Sequence, residues 1–280
     1  MGTGRAGSKI IRLQTVGVHV GKKPLTKADF VVREEPLEIR VRGRSVAVTM
    51  RTPGNDRELA AGFLLTEGII QRRGDITAMA ECLTAESPEN TLNVFLAPAV
   101  KVNFKQLTRH VFAGSSCGVC GKASIEAVHV AFPPVESTLS VSAKRLATLP
   151  ERMRAAQRTF AQTGGLHAAG LFDKSGKLWV LREDIGRHNA VDKVLGHAFL
   201  QKRIPLDSHL LLVSGRASFE IMQKALAARL QIVASISAPS SLAVEFAKES
   251  GQTLVGFLRG PTMNVYCGFE RVHEASAVSP

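Results

Sequence analysis

The stretch His209-Leu-Leu-Leu-Val-Ser-Gly-Arg-Ala-Ser218 decides the fold. Its first half is a continuous apolar run, as a strand covered on both faces requires. Its second half is small and polar, the composition of a strand-to-helix turn. Phe219 to Leu230 then sets Met222, Leu226 and Leu230 on one helical face. Ile232 to Ile236 reads as a second strand and Leu242 to Lys248 as a second helix, stopped by Gly251. Thr253 to Leu258 is a third strand. Strand, helix, strand, helix, strand with short connections makes parallel neighbours joined by right-handed crossovers.

The pattern extends toward the N-terminus. Leu166 to Phe172 and Lys177 to Arg182 flank Asp173-Lys-Ser-Gly176 and read as a hairpin. His188 to Lys202 lines up Val191, Val194, Leu195, Ala198 and Phe199 as one helical face, and a helix over Pro150 to Gln162 stops at Gly164-Gly165. The expected class is α/β, a three-layer α/β/α arrangement around a mixed sheet, preceded by a smaller N-terminal α+β subdomain. In that subdomain Leu37 to Gly43 and Ser45 to Met50 form a hairpin. Asn55 with Glu58 reads as a capping box, opening a helix that ends at Gly68. Ile76 to Leu83 and Leu92 to Leu96 add two strands. The expected divisions are a basic flexible tail over 1–28, the subdomain over 29–110, a mobile loop and connector over 111–139, and the core over 140–275. Residues 29–275 together form one unit.

Composition narrows the function classes. With 280 residues, 45% of them hydrophobic, the chain can bury a core without a disulfide framework. Four cysteines fit a reducing cytosol. The N-terminus lacks the apolar core of a signal peptide and no apolar run approaches a membrane span, so a cytoplasmic protein without membrane contact is expected. A net charge of +12 favours anionic partners. One Trp, one Tyr and no basic patch interleaved with aromatics argue against nucleic acid.

Chemistry concentrates in a few stretches. Ser115-Ser-Cys-Gly-Val-Cys-Gly-Lys122 spaces Cys117 and Cys120 as C-x-x-C, which fits a redox dithiol, half a zinc site or a sulfur-carrying thiol. Lys122 and a following helix start would lower a thiol pKa. Zinc would need two more ligands. Cys82 and Cys267 sit singly in apolar strands as buried inert thiols, and no H-x-E with P-C-x-x-C occurs, so no metal is expected. Ser214 to Ser218, Ser237 to Ser241 and Gly256 to Asn264 lie beyond strand ends, where ligands bind in such sheets. Backbone N–H groups at helix starts, with Arg216 and Arg259, suit phosphates; well-capped helices and an exposed turn account for the same residues. Arg182 to Lys193 packs more ionisable groups, His188 among them, than a helix cap needs. His167 reads as a core histidine.

The chain resembles the FdhD/NarQ family of formate dehydrogenase accessory sulfurtransferases. The resemblance rests on Glu34 to Val41, Met50 to Asp56, Ser115 to Lys122, Thr163 to Gly170, Arg182 to Lys193, Ser214 to Glu220 and Ser237 to Ala243, in order along the chain. It implies a cytidine-deaminase-like fold without the deaminase ligands, and a homodimer. It also implies sulfur received from a cysteine desulfurase and passed to the molybdenum cofactor, Mo-bis-MGD, for formate dehydrogenase. Cys117 would carry the persulfide, and Cys120 would either share that role or close a disulfide that expels sulfide. Phe257, Leu258, Arg259, Gly260, Pro261 and Thr262 would contact the nucleotide, for which GDP is the expected mimic, with Ser214, Arg216 and His188 nearby. A non-catalytic cofactor chaperone is the alternative.

Overall fold

The computed structural model describes residues 8–104, 131–136 and 139–274; Cys117 and Cys120 lie outside them. The described strands are β1 (Ile10–Gly17), β2 (Leu25–Val32), β3 (Glu35–Val41), β4 (Arg44–Arg51), β5 (Ile76–Glu81), β6 (Thr91–Leu96) and β7 (Val141–Ser142) in the first half. The second half adds β8 (His167–Asp173), β9 (Leu178–Asp184), β10 (His209–Val213), β11 (Ile232–Ser235), β12 (Thr253–Arg259), β13 (Thr262–Cys267) and β14 (Val272–His273). The helices are α1 (Asp56–Thr66), α2 (Ala143–Leu146), α3 (Leu149–Ala156), α4 (Arg158–Thr163), α5 (Arg187–Leu200), α6 (Phe219–Ala227) and α7 (Ser241–Glu249).

The deciding stretch folds as its composition requires. β10 is buried on both faces, and β10, β11 and β12 are parallel neighbours linked through α6 and α7. With antiparallel β8, β9 and β13 they make a mixed sheet in the order β13-β12-β11-β10-β8-β9. One sheet face packs Leu211, Val213, Val233 and Leu254 against α5, α6 and α7. The other packs Leu210, Leu212, Ile232 and Val255 against Leu146, Leu149 and Met153 of α2 and α3. This is the expected helix–sheet–helix layering. Each fully buried Leu, Val or Ile contributes about 1.5–3 kcal/mol.

A second sheet, β4-β3-β6-β5, buries Leu37, Ile39, Val41, Leu92 and Val94 against Leu59, Leu64 and Leu65 of α1. Helix α1 lies in turn on α5, so α5 is clad by both units. The β3–β4 hairpin turns at Arg42 and Gly43, both at positive φ.

Three expectations change. Residues 10–28, read as part of a flexible tail, belong to an antiparallel hairpin of β1 and β2. Apolar residues alternate weakly there among lysines, so the pairing is set by the opposite strand rather than by either strand's own pattern. The capping box at Asn55 does not form: Asn55 is left-handed (φ 62°) and its side chain caps nothing. Glu58 is drawn instead to Arg182, whose Nε lies 2.5 Å from its carboxylate. The helix over Pro150 to Gln162 is broken at Gln157 (ψ 77°) into α3 and α4, with Gly164 closing α4 at φ 66°.

Candidate functional site

The carboxyl ends of the parallel strands are tied into one rigid rim. The Ser235 hydroxyl donates to the carbonyls of Gly215 (2.7 Å) and Ser237 (2.9 Å). Ser240 N–H donates to the Ala217 carbonyl, and Ala217 N–H to that of Ala238. Phe257 N–H donates to the Ser237 carbonyl, holding Phe257 at φ 50°, and Arg259 Nε donates to the Ile236 carbonyl at 3.1 Å. The loops after β10, β11 and β12 therefore brace one another, as a fixed site needs.

Against this rim lies a cavity of about 740 Å³, within the range of small-molecule sites. Ser214, Ile236, Leu258 and Arg259 line its sheet side; Arg154, Gln157 and Phe160 face them from α3, the break and α4. The Glu183 carboxylate holds that second wall. It accepts N–H bonds from Thr159 (3.1 Å) and Phe160 (2.8 Å), the first turn of α4, where a negative charge suits the helix dipole. The Arg154 guanidinium stacks over the Phe160 ring at 4.2 Å, a cation–π pair on the wall.

Two polar groups at or near this wall have no hydrogen-bond partner among the described residues. Gln157 is 5% exposed, lines the cavity, and its side-chain amide makes no hydrogen bond to a described residue. Arg187 Nε is buried without a hydrogen-bond partner. Buried polar groups are normally satisfied, which sets Arg187 Nε apart, although Arg187 is not part of the cavity lining. His167, read as a core histidine, is half-buried on the cavity wall beside Gly215. Burial, together with the nearby Arg187 and Arg216 cations, presses its pKa below the ordinary value against the pull of Asp184. The lining sets Arg154 and Arg259 against Glu151, with an imidazole at its edge whose charged form is disfavoured.

The sequence-predicted residues divide. Ser214, Leu258 and Arg259 line the cavity. Ser214 is also structural: its hydroxyl accepts the Ala168 N–H at 2.8 Å. Arg216 is exposed on the turn after β10, off the wall but close enough to act on His167. His188 is buried between α5 and α6, 3.3 Å from Ser218 and 3.3 Å from Glu220, and does not line the cavity. Gly260 and Pro261 form the β12–β13 turn, closed by the Thr262 hydroxyl on the Arg259 carbonyl; Phe257 stands beneath the Arg259 guanidinium. Arg154, Gln157 and Phe160 were missed. Their only signal was the family stretch at Thr163 to Gly170, which follows them directly.

The dense run Arg182 to Lys193 is chiefly architectural. Lys193 and Asp184 pair at 2.6 Å with neither exposed. Thr52 completes the junction: its N–H donates to Asp184, its carbonyl accepts from Lys193, and its hydroxyl accepts from Ile185 N–H. Asn189 donates to the Met50 carbonyl. Asp192 pairs with Lys224, and Thr66 bonds both. Arg51, 1% exposed, grips Asp56 with two nitrogens at 3.0 Å. The stretches 50–56 and 182–193 are two halves of one buried polar joint between the sheets.

Among the described residues no cluster of three His, Cys, Asp or Glu side chains is placed to hold a metal, and no helix is long and apolar enough to cross a membrane. Cys267 is buried and its thiol pushed up by burial, as an inert thiol should be. Cys82 differs: hydrogen bonds with Thr84 and Asn93, aided by Arg40, hold its thiol below the ordinary value.

The profile of the FdhD/NarQ family matches residues 32–273. A protein named sulfur carrier protein FdhD from Mycobacterium tuberculosis is 52% identical over 257 residues, covering 89% of this chain and 93% of its own. One of the same name from Streptomyces coelicolor is 49% identical over 277 residues, covering 96% of each. Among solved structures, a formate dehydrogenase accessory protein from Desulfotalea psychrophila matches with a TM-score of 0.75 at 26% identity, over 95% of this chain and 100% of that one.

Proposed function

The chain belongs to the FdhD/NarQ family, and from that premise we propose that it is a cytoplasmic sulfur carrier for formate dehydrogenase maturation, moving sulfur from a cysteine desulfurase to the molybdenum cofactor Mo-bis-MGD. One observation carries the cofactor half of this reading: Arg154, Arg259 and the Gln157 amide line one cavity at the strand ends. Arg259 suits the phosphates of one guanine nucleotide end. The Arg154–Phe160 pair offers a stacking face and the Gln157 amide a hydrogen-bonding edge for the base. The turn Phe257 to Thr262 flanks them. GDP is the mimic that such a site would bind. A two-fold dimer would present two such cavities, matching the two guanine ends of the cofactor. The mixed sheet between helical layers supports a cytidine-deaminase-like frame.

Sulfur transfer falls to Cys117 and Cys120. The Cys117 thiolate attacks the outer sulfur of the donor persulfide; a new S–S bond forms at Cys117 and the donor cysteine leaves as thiolate. Cys120 then attacks the Cys117 inner sulfur, closing a disulfide and expelling the outer sulfur as sulfide for the acceptor. The two electrons come from the dithiol, so an external thiol reductant must reopen the disulfide before another cycle. Mass spectrometry after incubation with a desulfurase and cysteine tests this: a gain of about 32 Da on Cys117, lost in Cys117→Ala, is expected. No gain on either cysteine would leave a cofactor-binding chaperone, which the cavity alone also supports.

A further inference from the structure

The β1–β2 hairpin contributes no residue to the cavity and precedes almost all of the family match, which begins at residue 32. Its base is fixed. Arg33 N–H donates to the Lys9 carbonyl at 2.9 Å, and Val32 lies against Gly165, where a Cβ would come within 3.1 Å of its methyl. Gly165 is a cavity-wall residue, so the ribbon rises from the cavity rim.

Beyond that base the ribbon buries little. The register puts Leu13 (48% exposed) and Leu25 (67%) on one face and Val16 (57%) and Phe30 (44%) on the other, with Val18 (71%) and Val20 (104%) at the tip. Interleaved are Arg12, Lys22, Lys23 and Lys27, against the single acid Asp29. A lone two-stranded ribbon is marginal in water, and an apolar surface rimmed by charge marks an interaction site.

We propose that this ribbon is a docking arm for the protein that accepts the cavity's cofactor, entering a groove with an acidic rim and an apolar floor. The proposal rests on the cofactor reading above. Three observations choose this occupant. Apolar groups lie on both faces as well as the tip: a nucleic acid would engage only the cations, and a bilayer mainly the tip, whereas a protein groove closes round both faces. The outer edge of β1, unpaired among the described strands, offers backbone groups for strand addition, whereas β2 packs near its base against α4. The base stands beside the cavity, so a protein held by the arm sits over the ligand that it must receive. A second copy is a poor occupant, because it would bring another basic ribbon against a chain of net charge +12.

The test uses the whole protein and two combined variants: Val18→Ser with Val20→Ser and Leu25→Ser, and Lys22→Glu with Lys23→Glu. Binding of cofactor-free formate dehydrogenase is measured by biolayer interferometry, and GDP binding by calorimetry. Each variant should bind the dehydrogenase about tenfold more weakly or worse, with GDP affinity unchanged, and the charge reversal should flatten the salt dependence. Wild-type affinity in both variants, or no binding by the wild-type protein, overturns the proposal. So does intact dehydrogenase binding with a loss of adhesion to phosphatidylglycerol vesicles or of dimer in light scattering. If the wild-type protein ignores GDP while both variants still lose the dehydrogenase, the cofactor reading fails and the arm stands.

Discussion

Gly196 of α5 and Glu58 of α1 meet backbone to backbone: a Cβ on Gly196 would lie 1.8 Å from the Glu58 carbonyl oxygen. Gly62 makes the reciprocal approach, its Cβ position 1.9 Å from the Asp192 carbonyl. Two helices this close admit no side chain between them, and neither carbonyl can yield without breaking its own helix. Gly196→Ala should therefore destabilise by about 3 kcal/mol or more, read as a lower urea midpoint. Gly74→Ala, with open space around it, should leave the midpoint unchanged.

The buried Lys193–Asp184 pair gives a second expectation. Burial presses the Lys193 ammonium below its ordinary pKa against the pull of Asp184, so each charge depends on the other. Lys193→Met should cost about 3–5 kcal/mol, because it strands a buried carboxylate. Adding Asp184→Asn should recover part of that loss in the same denaturation assay.

Acid sensitivity follows from Glu58. Burial raises its carboxyl pKa, but Arg182 and His197 outweigh burial and hold it below 4.5. A depressed carboxylate contributes stability above its unfolded pKa and loses it as pH falls through the folded one. Thermal stability should drop as pH falls below about 4.5, and Glu58→Gln should shrink that drop while lowering stability at neutral pH.

The cavity should couple to His167. Free protein should show this imidazole titrating below 6.5 by NMR, since burial and two arginines disfavour its charge. Nucleotide phosphates would reverse that bias, so GDP should raise the His167 pKa, and GDP affinity should grow as pH falls across that window. Arg259→Ala should weaken GDP by about 1.5–3 kcal/mol in calorimetry, and Gln157→Leu by a smaller amount. An unmoved His167 resonance would place the phosphates elsewhere.

Much of the core was legible in the chain. The strands and helices from His167 to Leu258 follow from apolar runs and helical periodicity, because burial on two faces leaves its mark on every residue of a short element, whereas the half-exposed β13 that follows leaves no such run. The glycine stops at Gly68, Gly164 and Gly251 were legible too, since a left-handed residue is a local demand; all three have positive φ. Asn55 was misread because its partner Glu58 is claimed by Arg182, more than a hundred positions away.

By itself the sequence determined the order of the core elements from His167 to Leu258, the sheet's double burial, the C-x-x-C spacing and the strand-end loops. The tertiary structure alone decided that Arg182 to Lys193 builds a buried joint with residues 50–56, that Gln157 and Phe160 form a cavity wall, that His167 faces that cavity, and that residues 10–32 are a ribbon at its rim. The physical reason is range. Periodicity and turn chemistry act over a few residues, whereas the partner of a charge, an orphan amide or an edge strand is set by whichever distant segment the packed sheets bring beside it.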